Sequence, residues 1–486
     1  MAELAGSVPS PRSGTMNVAG TWWTALRGRS LARQFVLVLL TLYLAKQAIY
    51  VVAFPPFTGH DEVAHYAYLR TVATEGRAPV LLEDQLPNDL YRYCRYTLDW
   101  NPCVPNNPAA LSNPPRGLPG RPQGMQYAAN HPPLYYILMT PIYWATERAS
   151  PAVQQYVLRA AAIPFGIVTV LLAYLLARVL FPADRFLAFT VPSFVALQPQ
   201  ISYEAAMVNN DIVCIALYSW VLYLLVIGLR DRFPARTCVL LGLALGLALL
   251  AKGTSLTAVP IVGLTVIAGT GWRDVRGWVM RGMLIALPLA LLVVPWYVYL
   301  YRSYGNLTGF DQIAELQRWN RPQGGFIAQL LDREFAVMRF KETWGEFGWR
   351  QIPLSSPMLW AIGLPLAFAF GGLVQYAYSA ARRGAWTEDD PVLRPTRWQA
   401  LALLMLTGTC LVAYLAVVQF GTRFVLTQAR YYFPAINAAA LLVLLGLRTL
   451  IPLRYHTYGQ AAVFAALVLL NVLIFTQYVV PHYPNW

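Results

Sequence analysis

Apolar positions along this chain come as long, nearly charge-free runs, without the two-residue alternation of a half-buried strand. The runs are Phe35–Phe54, Val157–Phe181, Phe186–Ser202, Ile212–Leu229, Cys238–Ala251, Ser255–Gly269, Met283–Leu300, Met358–Ser379, Ala400–Phe420, Phe433–Leu447 and Ala461–Val480. Runs of roughly 18 or more such residues read as bilayer-crossing helices, and the shorter ones are counted with approximate ends. The pattern predicts an all-α polytopic membrane protein of eleven transmembrane helices.

Composition agrees. The hydrophobic share is 57% and the charged share 12%, against roughly 45–50% and roughly 25% in soluble globular chains. The first run follows a tail bearing Arg12, Arg27, Arg29 and Arg33 and lacks a small-residue cleavage site, so it reads as an uncleaved span that starts in the cytoplasm. Eleven spans then place the C-terminus outside. The expected organisation is a cytoplasmic tail 1–34, a first helix 35–54, a large helical external loop 55–156, helices two to seven in 157–300, a second external loop 301–356 and helices eight to eleven in 357–486. An active site would sit in the external loops of a cell-membrane protein, since every cytoplasmic connection is short.

The formal charge of +14 and pI near 9.6 raise the question of nucleic acid. Distribution answers it. The cytoplasmic pieces hold 18 Lys/Arg and 7 Asp/Glu, the external pieces 17 and 16, with Lys46 and Arg159 inside spans. The excess is an orientation signal, concentrated in short connections such as Arg230, Arg232 and Arg236. No partner role for nucleic acid is left. No phosphate-binding loop, dinucleotide fingerprint or zinc-type Cys/His spacing occurs in the cytoplasmic pieces. Cys94 and Cys103 lie in the first external loop, where a disulfide or two thiols are both compatible with the sequence.

The first loop opens with Thr58-Gly59-His60-Asp61-Glu62-Val63-Ala64-His65-Tyr66, a helix-like pattern from Thr58 that puts Asp61 and His65 on one face and Glu62 beside them. Thr58-x-x-Asp61 also has the spacing of a capping box, so a structural reading competes with a catalytic one. In favour of chemistry, two adjacent carboxylates flanked by histidines lie at the membrane face, where a base can meet a membrane-bound reagent. The loop closes with Asn130-His131-Pro132-Pro133-Leu134-Tyr135-Tyr136, Asn130 or His131 being candidate caps. The apolar stretch that follows, to Trp144, is assigned to the outer interface, because a span there would put Arg178 and Arg185 outside.

Glu204 and Asn209-Asn210-Asp211 are polar groups near the hydrocarbon, with Asn210 or Asp211 a candidate cap of the fourth span. Lys252 reads either as a snorkelling interfacial lysine or as an anion ligand. Gly242 and Gly246 read as a close helix-packing step. Trp344 and Trp349 read first as interfacial belt residues. Arg423 and Arg430, external, are either headgroup- or acid-paired arginines or ligands for a phosphate.

Taken in order, His60-Asp61-Glu62, His131-Pro132-Pro133-Leu134-Tyr135-Tyr136, Asn210-Asp211, Ala251-Lys252-Gly253 and Arg430-Tyr431-Tyr432-Phe433-Pro434 resemble the C-type membrane glycosyltransferases. That superfamily includes protein O-mannosyltransferases and lipid A aminoarabinose transferases, and the Trp344-Gly345 and Arg430-Tyr431 segments are most similar to an uncharacterised bacterial branch. The resemblance runs over about residues 55–435. It implies inverting transfer of a sugar from a polyprenyl-phosphate donor to a carbohydrate or lipid-linked acceptor outside the membrane. Asp61 would be general base, with Glu62 or His131 orienting it. Lys252, Arg423, Arg430 and Tyr431 would hold the lipid phosphate. His65, Glu204, Asn210 and Asp211 would face the acceptor or support the site. No cofactor is required, although a divalent metal between Asp61 and other external carboxylates is compatible with the chemistry. The carbohydrate-binding insert of the O-mannosyltransferases is missing, so acceptor choice is expected in the two external loops. Loop tyrosines Tyr66, Tyr68, Tyr91, Tyr93, Tyr96 and Tyr127 would stack on sugars or pack internally. Two rival readings are a transporter or flippase of lipid-linked sugars and a surface-polysaccharide polymerase or ligase. The first lacks an internal repeat and midplane acids, and the second would lean on external arginines rather than Asp61.

Overall fold

In the computed structural model, residues 30–87, 89–90, 126–316, 324–382, 390–424 and 427–483 are described. The chain divides into two compact units, residues 1–42 and 43–486. The described part of the first is the opening of the helix Ser30–Ala53; the second holds every other element. Cys94, Cys103, Tyr91, Tyr93 and Tyr96 lie outside the described residues.

Each of the eleven predicted runs falls on a helix, and nine helices among the described residues are long and apolar enough to cross a membrane. The runs at 186–202 and 238–251 fall on shorter helices, Arg185–Leu197 and Ala235–Ala251. The first breaks where the sequence pattern continues. Pro199 disfavours helical backbone at Gln198, which is extended, and the Gln198 side chain caps a new helix, Pro199–Ala205, by accepting from the Ile201 N–H at 2.5 Å. Strand pairing includes a short antiparallel contact of Ile352–Pro353 with Phe347 and Glu346.

Within the second unit, the most buried long helix is Asp211–Asp231, packed against Pro151–Leu180 and Ala235–Ala251. Ala235–Ala251 in turn lies against Val275–Tyr304 at the predicted glycine step: a Cβ at Gly242 would run into the Ile285 carbonyl, and one at Gly246 would stand 2.9 Å from Leu292 Cδ1. Outer helices present large apolar side chains outward, Leu291 and Phe368 among them. A contiguous surface of this kind suits lipid and not water, and the chain is a multi-pass membrane protein.

Two basic residues, Arg448 from a cytoplasmic connection and Lys46 from within a span, have structural partners. Arg448, near the end of Ile436–Leu450, is buried and bonds Asp184 Oδ2 at 2.6 Å and Asp390 at 2.6 and 2.9 Å. Lys46 is buried, donating to the Ala196 carbonyl and Ser202 Oγ with Tyr43 and Tyr50 around it.

Candidate active site

The site assembles from four helix ends and turns that the apolar pattern alone leaves blank. The first is the turn after Ser30–Ala53. The predicted helix from Thr58 begins only at Glu62: Thr58 Oγ1 turns back to the Pro55 carbonyl at 2.7 Å, and Asp61 takes left-handed backbone, φ 57°. No side-chain cap bond forms at Asp61, so the capping reading is overturned. A non-glycine residue in this region is uncommon and is held only where surroundings over-determine it.

Those surroundings are centred on Glu62. Its carboxylate is fully buried and accepts from Gly59 N at 2.8 Å, Val208 N at 2.7 Å, Arg159 Nε at 2.9 Å and an Arg159 terminal nitrogen at 2.6 Å. Arg159 further donates to the carbonyls of Val51, Phe54 and Pro55 at 3.1, 2.7 and 3.0 Å. A Cβ at Gly59 would come within 2.6 Å of the Glu62 side chain and of Met207 Sδ, so glycine is needed for the approach. Glu62 therefore faces away from Asp61 and cannot orient its carboxylate directly. Its role is to fix the turn that presents Asp61. Arg159, which the sequence reading counted only as a charge within a span, is the missed residue here; an ionisable side chain inside an apolar run was the available signal.

Asp61 meets the other end of the chain. Arg430 donates one terminal nitrogen to Asp61 Oδ2 and the other to Asp211 Oδ2 at 3.1 Å, and Lys252 Nζ donates to Asp211 Oδ1 at 2.5 Å. Tyr431 lies under both cations, 5.5 Å from Lys252 Nζ and 5.6 Å from Arg430 Cζ, a cation–π arrangement. Each member sits at an element boundary: Asp211 at the first turn of Asp211–Asp231, Lys252 in the extended break after Ala235–Ala251, and Arg430 and Tyr431 in the short 3₁₀ segment Ala429–Ala435. Asp211, Lys252 and Arg430 are buried, whereas the Asp61 side chain retains 20% exposure.

The remaining predicted residues divide. Asn210 forms no cap bond; Asn209 Oδ1 takes the Asp211 N–H instead, at 2.9 Å. Asn210 Nδ2 donates to the Ala251 carbonyl at 2.8 Å and lies 3.1 Å from His131 Nδ1, tying the first loop to the Lys252 break. Neither Asn130 nor His131 caps the next helix, Leu134–Ala145, whose cap position is Pro133. Burial and the nearby Lys252 push the His131 imidazole down to about 3, so it is neutral near pH 7. Burial and then His131 likewise hold His65 well below its usual value, with its Nδ1 2.8 Å from the Tyr136 hydroxyl. Among the described residues neither histidine bonds Asp61. Arg423 is exposed in the turn after Arg397–Gly421 and joins none of these contacts. Glu204 belongs to a neighbouring cluster, 2.8 Å from His60 Nδ1 and 3.2 Å from both Gln200 Nε2 and Asn209 Nδ2. Tyr66 and Tyr68 are buried, Tyr68 stacked on Tyr136 at 3.6 Å between ring centres, and Tyr127, partly buried, packs on a core cluster; all three take the internal-packing reading. Trp344 is buried edge-on against Phe194 and is not a belt residue.

Among the described residues no three or more His, Cys, Asp or Glu side chains gather as metal ligands would. Asp61 Oδ2 accepts from Arg430, and the two Asp211 oxygens accept from Arg430 and Lys252.

Residues 131–299 match the family model described as dolichyl-phosphate-mannose-protein mannosyltransferase. In three dimensions the chain is similar to ArnT from Cupriavidus metallidurans in the apo state, with TM-score 0.52 and 18% identity over 90% of this chain and 64% of that one. ArnT from the same organism bound to undecaprenyl phosphate matches with TM-score 0.50 and 17% identity over 89% and 64%. The Archaeoglobus fulgidus oligosaccharyltransferase, complexed with Zn and sulfate, gives TM-score 0.49 and 14% identity over 89% and 52%. The chain thus spans about 64% of the length of the ArnT chains. No curated protein matches the sequence. The chain shares the fold of the ArnT structures.

Proposed function

We propose that this protein is an inverting glycosyltransferase that moves a sugar from a polyprenyl-phosphate donor to an acceptor hydroxyl on the extracytoplasmic side of the cell membrane. One observation carries the reading: the accessible carboxylate of Asp61 is paired with Arg430, which shares the buried Asp211 with a second cation, Lys252. The undecaprenyl phosphate bound by the structurally similar ArnT supports the same class of donor.

In the step, the acceptor oxygen attacks the anomeric carbon while Asp61 takes its proton. The C1–O bond to phosphate breaks, and polyprenyl phosphate leaves as an anion. Arg430 and Lys252, stacked on Tyr431, are the donors for that anion, and on donor binding, before the proton moves, Arg430 exchanges Asp61 for phosphate oxygens. This exchange releases Asp61 to act as base when donor binds. Asp211 holds both cations in place when no phosphate is present. Arg423, outside the network, has no part in the step. The step calls for no metal.

The test is release of polyprenyl phosphate from polyprenyl-phosphate sugars by purified protein in nanodiscs. Asp61→Asn should lower release by about 10²–10⁴-fold, the range for removal of a general base. Unchanged turnover removes Asp61 from this role.

A further inference from the structure

Arg430 has the most demanding task in the proposed step, because one guanidinium meets Asp61 and Asp211 and must then meet a phosphate. Misplacing such a group by about 1 Å can cost about 10²-fold, yet the segment that carries it is poorly built to hold itself. Ala429–Ala435 is a seven-residue 3₁₀ turn containing Pro434, which has no N–H to give, and its bond from Tyr431 N to the Gln428 carbonyl is 3.3 Å long. Its position must be set from outside.

The second external loop supplies the hold. Along the helix Arg333–Trp344, Phe335, Arg339, Glu342 and Thr343 fall at the spacings of three and four that define one helix face. Phe335 docks this face on the outer end of Arg397–Gly421, packing with Val417 and Val418, and a Cβ at Gly421 would stand 2.8 Å from its ring. The other three meet the Arg430 segment, and Arg350, beyond the helix, joins them. Glu342 Oε2 accepts at 2.8 Å from Ala429 N, the peptide N–H next to Arg430. Arg350 donates to the Thr427 carbonyl at 3.0 Å. The Tyr432 hydroxyl donates to the Arg339 carbonyl at 3.0 Å and bonds Thr343 Oγ1. Residues 427, 429 and 432 are thus all gripped by the second loop, while the Arg430 side chain reaches Asp61 and Asp211.

Glu342 is central to this grip. It pairs with Arg339 Nε at 2.7 Å and with an Arg339 terminal nitrogen at 2.8 Å. It also pairs with Arg350, whose Nε lies 3.4 Å from Glu346 Oε2. Arg339 and Glu342 are buried, at 3% and 5% exposure. A buried ion pair does little more than offset its own desolvation, so the cluster is a poor source of stability. What it delivers is direction: two arginines orient the Glu342 carboxylate with one oxygen on Ala429 N.

We propose that Glu342 is a positioning residue for Arg430: with Arg339 and Arg350 it fixes the segment 427–432, so that the second external loop sets the affinity of the Arg430 site for a phosphate anion. The inference rests on the reading of Arg430 as a donor to the lipid phosphate. Glu342 escapes sequence inspection because the group it places is a backbone N–H 87 residues further on.

The test is equilibrium binding of undecaprenyl phosphate to full-length protein in nanodiscs, arranged as a double-mutant cycle with Arg430→Met. Glu342→Gln keeps the shape of the side chain and removes the charge that the arginines orient. Arg350→Met, at a side chain 22% exposed, removes one grip and leaves Glu342 its pair with Arg339, so it stands in should Glu342→Gln fail to fold. Each should weaken binding about three- to tenfold, the worth of one hydrogen bond. In the Arg430→Met background each should cost less than about twofold, because the group they place is gone. Equal losses in both backgrounds overturn the proposal, since Glu342 would then support the site as a whole; so does wild-type affinity in a folded variant. Arg430→Met with unchanged affinity removes Arg430 as phosphate ligand and this inference with it, and a wild type that does not bind undecaprenyl phosphate sinks the glycosyltransferase reading itself.

Discussion

Glu62→Ala is the sharpest test of how the fold presents Asp61. The substitution leaves the Arg159 guanidinium, itself fully buried, without a carboxylate partner, and strips the acceptors from Gly59 N and Val208 N. Breaking a buried pair by removing one partner costs about 3–5 kcal/mol, more than the pair's net worth, because an uncompensated charge stays inside. Unfolding monitored by intrinsic fluorescence in mixed detergent should register a loss of that size. Glu62→Met combined with Arg159→Met removes the stranded charge and should recover most of the stability. Turnover should not recover, since the bonds that pin the turn at Gly59 and the carbonyls of Val51, Phe54 and Pro55 are still gone. Glu62→Gln separates positioning from proton transfer: it should lower kcat with no displacement of the pH profile, because Glu62 does not face the reacting groups. A double variant that regains full turnover, or a shifted pH profile in Glu62→Gln, would refute the reasoning.

Lys252→Met should raise KM for a polyprenyl-phosphate donor at least tenfold, with smaller change for Arg423→Met, read from initial rates at varied donor. Replacing His131 with Gln should flatten the acid side of the stability curve: the folded imidazole titrates near 3 and the unfolded one near 6.5, so wild type loses stability as pH falls below 6.5, by up to about 1.4 kcal/mol per unit. For Glu346 the sign reverses. Its folded carboxyl titrates near 7 against 4.5 unfolded, so wild type loses stability as pH rises from 4.5 to 7, and Glu346→Gln should melt higher than wild type at pH 7.5 and no higher at pH 4.5. Arg448→Ala should destabilise by about 3–5 kcal/mol through the stranded Asp184 and Asp390, with residual turnover of the folded fraction unchanged.

What could be read in advance follows from where the physics is local. Bilayer thickness forces one pattern on every spanning helix, so the runs at 212–229 or 400–420 stand out in the sequence before any contact is known. The site is made of breaks between such helices, and a break's geometry depends on partners far along the chain. Asp61 looked like a cap because Thr58-x-x-Asp61 has cap spacing; Arg159, some hundred residues on, pulls Glu62 into the interior and leaves Asp61 at the tip of the turn. Adjacent in sequence, Asp61 and Glu62 consequently do opposite work, one accessible and joined to Arg430, the other fully buried on Arg159. Burial of a charge inside an apolar protein requires a partner, so an unmatched Arg159 within a run predicts an acid somewhere else in the fold. The same argument extends to Asp211. With Lys252 and Arg430 both on it, this acid carries two cations, an excess of positive charge that Asp61 balances only through one Arg430 nitrogen. Arrival of a phosphate anion would take over from Asp61 as the balancing charge and free that carboxylate at the same moment, which on the proposed mechanism would couple donor binding to exposure of Asp61.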